Sequence, residues 1–332
     1  MRYVAIFASL ITAAAVTGAG LAQTPLLAND PAAIWTLQGE NASLGSGPAT
    51  DRYYTNGLRI GWLSPTGAVP AGVASAGRAL LGDGTQRVSV DITQQIYTPL
   101  ATKFAVPPPG DRPYAGVLMG QAALVQDTAS TRTRLGVGVG VLGPAAMGMQ
   151  VQNGFHDLIG QAGNRGWRRQ LRNEPVMQLA ASRVWRVGLG APGSLQADIL
   201  PNLAAEAGNL RVAGQAGAII RLGQGLDADF GPPRILPGLS GGDGFAPTDF
   251  AWYVFLGADG QAVAHDATLD GNNFTSSPSV TRTPLVAEAE AGFAVMAYGM
   301  RLTYTHVVQT QQFRHQKGGL HQLGSLALGV RF

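Results

Sequence analysis

Apolar and polar or small residues alternate with a period of two along much of this chain. Leu58, Ile60 and Trp62 are separated by Arg59 and Gly61, and Val88, Val90, Ile92 and Ile96 alternate with Ser89, Asp91, Thr93 and Gln95. From Leu135 the run is Leu135, Val137, Val139 and Val141 with a glycine at each intervening position; later Met296, Tyr298, Met300, Leu302 and Tyr304 alternate with Gly299, Arg301 and Thr303. Similar stretches lie near Val176 to Val187, Ser194 to Leu200, Ala216 to Leu222 and Trp252 to Ala262. Successive side chains of a strand point to opposite faces, so this period predicts strands with one apolar face and not helices. Gly- and Pro-rich gaps at Gly45 to Pro48, Leu100 to Asp111, Gly143 to Arg172, Leu226 to Gly244 and Asp266 to Pro284 predict loops. Strands resume after each gap, which predicts one domain over 23–332.

Alternation alone suits a soluble sandwich as well as a membrane barrel. The two chain ends separate them. The first residues join a basic start, Arg2, to an apolar stretch from Tyr3 to Thr17 and a small-residue tract ending Gly20-Leu21-Ala22. That is the pattern of a signal peptide over 1–22, cleaved after Ala22, against the alternative of a retained anchor. At the other end Phe332, Val330, Leu328 and Leu326 keep one apolar face to the last residue. This terminal strand resembles the carboxy-terminal signal of outer-membrane barrels. The expectation is an all-β protein of the cell outer membrane, a transmembrane antiparallel β-barrel; with spanning strands of roughly ten residues in even number, about 12 strands fit the length. A secreted sandwich is the rival.

Composition narrows the chemistry. Cysteine is absent, which excludes a thiol nucleophile, a disulfide framework and a Cys-ligated metal. Lys and Arg number 23 against 20 Asp and Glu, with no basic block, so nucleic acid is not an expected partner. Beyond the leader no apolar run reaches the roughly 20 residues of a membrane helix. Any hydrolytic nucleophile is then a side-chain oxygen or a water.

Three polar clusters exceed what strands and turns need: Glu40-Asn41 leading to Thr50-Asp51-Arg52-Tyr53-Tyr54-Thr55-Asn56-Gly57; Ile96-Tyr97-Thr98-Pro99 leading to Asp111-Arg112-Pro113-Tyr114-Ala115-Gly116; and Gly143-Pro144 leading to Val151-Gln152-Asn153-Gly154-Phe155-His156. In order and content they resemble the outer-membrane lipid A 3'-O-deacylase family, from about residue 35 to the end. The resemblance implies a 12-stranded barrel with a site near its outer-leaflet end, between barrel wall and extracellular loops. It implies that a histidine, matching His156, activates water, supported by an asparagine, Asn41, a threonine, Thr55, and a calcium-binding carboxylate. A cleft lysine of the family falls on Lys103. Arg52, inside the first motif, is a second candidate for substrate contact, since guanidinium groups suit the phosphates of lipid A. The residue chemistry agrees: histidine is the side chain suited to general-base work near neutrality, and His156 is the one histidine inside a dense polar motif.

One position departs from the family. Its aspartate directly after the asparagine is Ala42 here, and a hard cation normally takes at least one carboxylate. Calcium remains the candidate cofactor only if another acid replaces it. Glu40, two residues before Ala42, is the candidate metal ligand; alternatively Asn29-Asp30 is the family's pair. The expected function is hydrolysis of an ester-linked acyl or acyloxyacyl chain of lipid A, with lipopolysaccharide in the outer leaflet as partner and a monomer as the working state. The rivals are a non-catalytic barrel, porin-like or structural, and an outer-membrane phospholipase.

Overall fold

The structure, a computed structural model, describes residues 29–45, 52–191, 193–235 and 242–332. The expected signal peptide over 1–22 and its cleavage after Ala22 lie outside the described residues. Thirteen strands run antiparallel in sequence order: β1 (Ile34–Asn41), β2 (Tyr53–Leu63), β3 (Thr85–Thr98), β4 (Ala115–Asp127), β5 (Thr131–Leu142), β6 (Glu174–Trp185), β7 (Val187–Gly190), β8 (Gln196–Gly208), β9 (Arg211–Gln224), β10 (Phe250–Asp266), β11 (Leu285–Ala297), β12 (Met300–Gln309) and β13 (His321–Arg331). β1 pairs with β13, and β6 pairs with β8, so the sheet closes on itself. β6 and β7 form one wall strand interrupted at Arg186, because Val184 faces Asn202 and Val187 faces Ile199 in the same register on β8. The wall is a closed barrel of 12 strands, as the alternation and chain length lead one to expect.

The faces of the wall are inverted relative to a soluble sandwich. Leu37 is 61% exposed and Ile92 59%, whereas Gln38 and Asp91, their neighbours, are 1% and 3% exposed. Leu and Ile therefore point out, while Gln, Asp and Arg point into the lumen. Water on the outside would make this arrangement unfavourable; hydrocarbon outside makes it the stable one, and the closed ladder pairs the wall backbone internally. The lumen is crossed by ion pairs. Arg59 reaches Asp91 at 2.8 Å and also binds Asp243; Arg221 binds Asp198 at 2.6 Å and Asp229 at 2.5 Å. Asp229 and Asp243 belong to the long β9–β10 connection, read in the sequence as a surface loop. Its described residues, 225–235 and 242–249, fold back into the barrel, where Asp229 and Asp243 give inward Arg side chains the partners that water would otherwise supply.

Chain termini mark one end: Ala33 and Phe332 exchange backbone hydrogen bonds of 3.1 and 3.0 Å. The connections 42–52, 99–114, 143–173, 267–284 and 310–320 are at the other, the arrangement in which bacterial barrels carry their extracellular loops. Among the described residues three α-helices flank the wall. α1 (Ala71–Leu81) lies at the terminus end, α2 (Gly148–Leu158) and α3 (Ala267–Asp270) at the loop end.

Candidate active site

The stretch 143–172, expected to be a loop, instead carries α2 flanked by short 3-10 turns at Pro144–Ala146 and Arg165–Arg169. Its first residue has to be small. A Cβ on Gly148 would stand 2.7 Å from the Trp167 ring and 3.2 Å from Cα of Gly116, so two glycine backbones meet where the helix docks on β4. Trp167 is fully buried, packs on Tyr114 at 5.0 Å between ring centroids, and donates its indole N–H to Gln152 Oε1 at 2.7 Å. Gln94, on β3, donates to the carbonyl of Ala146 at 2.6 Å. These contacts hold α2 against the outer face of the wall, not over the lumen.

Gln152 and His156 lie one turn apart, and both turn inward to the wall. His156 is buried, with Nδ1 3.2 Å from the carbonyl of Ala162. A carbonyl only accepts, so Nδ1 is the donor in this contact, and in the uncharged form of the ring the lone pair is on Nε2. Between α2 and the wall is a cleft of about 960 Å³ lined by Asn41, Thr55, Asn56, Lys103, Gln152 and His156, together with apolar Leu58, Ile96, Val151, Phe155 and Ile159. One side of it is therefore suited to polar chemistry and the other to hydrocarbon.

β2 supplies two consecutive residues to this cleft, which a regular strand cannot do. Its register with β3 shifts between Tyr54 and Asn56, and the bulge lets Thr55 and Asn56 both line the cleft while Tyr54 turns inward. Thr55 is tied to Thr98 through their hydroxyls at 2.7 Å. Asn41 caps the 3-10 turn Ala42–Leu44, accepting from the amide of Ser43 at 2.7 Å, and its Nδ2 donates to Asn56 Oδ1 at 3.2 Å. Four of the sequence candidates, His156, Asn41, Thr55 and Lys103, are thus brought together.

Two are not. Arg52, the residue before β2, turns its side chain to the β12–β13 connection, over the Tyr53 ring at 5.7 Å and 3.5 Å from the Leu320 carbonyl, and is not among the residues lining the cleft. Glu40 is fully buried on the lumen face of β1, one residue from Asn41 but on the opposite side of the wall. Its carboxylate accepts from Tyr54 Oη at 2.9 Å, Arg234 Nε at 3.0 Å, the Ile235 amide at 3.0 Å and Gln38 Nε2 at 3.3 Å. The strand alternation that separates neighbours by face removes it from the role of a cleft metal ligand. Nor does Asn29-Asp30 serve: Asp30 is at the terminus end, paired with Arg331 at 2.7 Å and with Arg87. Ala42 is a buried residue of the capped turn. Among the described residues lining the cleft there is no carboxylate, a donor set that does not fit calcium.

Sequence reasoning did not single out the apolar half of the cleft. Its signal was present: Val151, Phe155 and Ile159 recur every four residues, the spacing of one helix face, but the glycines at 143, 148 and 154 read as a loop.

A family model described as outer membrane protein LpxR matches residues 5–332. Among solved structures, LpxR from Salmonella typhimurium aligns with a TM-score of 0.74 at 22% identity, covering 90% of this chain and 100% of that one. The β-domain of the Bordetella autotransporter BrkA aligns at 0.42 and 13% identity, over 92% of this chain and 99% of that one. No curated protein matches. With a family model spanning nearly the whole chain and an inside-out barrel of the same fold, this outer-membrane protein belongs to the LpxR family.

Proposed function

We propose that the protein is a lipid A deacylase that hydrolyses an ester-linked acyl or acyloxyacyl chain in the outer leaflet, with His156 as general base. One observation carries the reading: an amphipathic cleft on the membrane-facing side of the wall joins a histidine held through Nδ1 to Asn41, Thr55 and Lys103 beside an apolar trough. Family membership supports the substrate class.

In this reading His156 Nε2 takes a proton from water as its oxygen attacks the ester carbonyl carbon. The carbonyl oxygen becomes an oxyanion, met by the Lys103 ammonium and the second N–H of Asn41 Nδ2. The C–O bond to the sugar then breaks, and the proton on Nε2 passes to the departing alkoxide, giving a carboxylic acid and a sugar hydroxyl. The Ala162 carbonyl holds the ring and stabilises the imidazolium formed midway. Phe155, Val151 and Ile159 take the acyl chain. No step is routed through a metal, because the cleft offers no carboxylate among its described residues.

The pore alternative finds no support in a lumen crossed by Arg59, Arg221 and the folded-in connection. Mass spectrometry of lipid A from cells with and without the protein tests the reading. Loss of one ester-linked chain is expected; unchanged lipid A with altered glycerophospholipids would replace it by the phospholipase.

A further inference from the structure

The described residues 225–235 of the β9–β10 connection enter the lumen from the terminus end and rise to the level of the cleft, on the other side of the wall. Its segment Pro233-Arg234-Ile235 meets β1 and β2 where Asn41 and Asn56 face outward. Arg234 Nε and the Ile235 amide each bind Glu40 at 3.0 Å, the Pro233 carbonyl accepts from Gln38 Nε2 at 3.1 Å, and the other arm of Arg234 binds Glu290 of β11 at 3.0 Å. Tyr54 completes the cluster. Its ring lies across Gly57, where a Cβ would fall 2.0 Å from Tyr54 Oη and 3.2 Å from Ile235 Cδ1, and this lets the hydroxyl reach Glu40. Glu40 is directly opposite Gly57, and Asn41 directly opposite Asn56. Every donor to Glu40 therefore acts one residue behind the Asn41–Asn56 pair.

Resting on the deacylase reading, we propose that Arg234 and Ile235 are positioning residues for the cleft: gripping Glu40 from inside the barrel, they fix the placement of Asn41 and of the bulge carrying Thr55 on the outside. The wall here is one strand thick, and residues 40 and 41 share a peptide unit. A shift of Glu40 toward new partners then moves Asn41 with it. Arg234 touches no substrate in this arrangement, so its effect falls on catalytic geometry and not on lipid binding.

The test compares purified full-length protein with Arg234→Gln, Arg234→Lys and Tyr54→Phe, the last removing one hydroxyl while leaving the connection in place. Heat-modifiable migration checks that each is a folded barrel. Arg234→Gln is expected to lower kcat for lipid A deacylation by about ten- to a hundredfold, the cost of misplacing a catalytic group by about 1 Å, with KM within about twofold. Tyr54→Phe lowers it less, and Arg234→Lys restores part of the loss. Amide hydrogen exchange at residues 40–41 and 56–57 rises in Arg234→Gln while the far wall, β8 to β10, is unchanged. Wild-type kcat in folded Arg234→Gln and Tyr54→Phe overturns the proposal. A different outcome, no deacylation even by the wild-type protein, overturns the functional reading instead; unchanged exchange at 40–41 and 56–57 in Arg234→Gln then overturns the positioning separately.

Discussion

His156 owes its candidacy to its motif and its place in the cleft, and its orientation to a carbonyl six residues on. Replacing it with alanine removes the base but no strand pairing, so His156→Ala is expected to insert as a heat-modifiable barrel and to deacylate about a hundred- to ten-thousandfold more slowly, read by release of acid from purified lipid A. Lys103→Met tests the oxyanion contact; a loss in kcat with little change in KM is expected, because the charge it meets exists only after attack. The metal question is settled by chelation. Activity is expected to persist in excess chelator, and a sharp loss would bring a carboxylate ligand into the cleft from elsewhere in the chain. At this scale the sequence is legible where a residue's chemistry is rare and illegible where only its direction matters. His156, Asn41 and Thr55 stand out as types in a motif. Glu40 stands beside Asn41 in the motif too, yet alternation sends the two to opposite sides of the wall, and no motif match records that.

At the scale of elements, the strands were readable because membrane walls obey one period over most of their length. Leu135 to Val141 falls inside β5 as the alternation predicts, but the run Met296 to Tyr304 is two strands: β11 ends at Ala297, Tyr298 and Gly299 turn with positive φ, and β12 starts at Met300. α2 was hidden by its own docking requirement: the glycine that permits close approach to Gly116 is the residue type that signals a turn. That requirement is testable. Gly148→Val drives a Cβ into Trp167 and is expected to abolish deacylation while leaving the barrel's heat-modifiable migration intact, since α2 contributes nothing to the closed ladder. Equal loss of barrel and activity would show that α2 is part of the folding unit. The β9–β10 connection was hidden for a different reason. Its Gly- and Pro-rich sequence reads as a surface loop, and only the surplus of inward-facing charges on the wall explains why it is drawn inside.

The whole molecule is closed by a seam between its first and last strands, and Asp30 clips that seam. Burial alone would raise the pKa of this carboxyl, but hydrogen bonds from Arg331 and Arg87 outweigh it and hold the value below the usual carboxylate range. A group whose pKa is lower in the folded protein stabilises it above the unfolded pKa and ceases to do so as the pH falls through the folded one. Asp30→Asn is therefore expected to lower the unfolding temperature at neutral pH, read by gel migration, with the difference from wild type shrinking toward zero in strong acid. A difference that persists there would assign the effect to packing. The placement of the cleft has a broader consequence. It lies on the outer side of the wall, beside outward-facing Leu58, and not in the lumen. A lipid reaching it never leaves its leaflet, so the quantity that sets the rate is the fraction of the surrounding two-dimensional film that is substrate, not its amount per litre. Spreading a fixed amount of lipid A among inert detergent in mixed micelles should slow the reaction in proportion, although nothing in the bulk solution has been diluted.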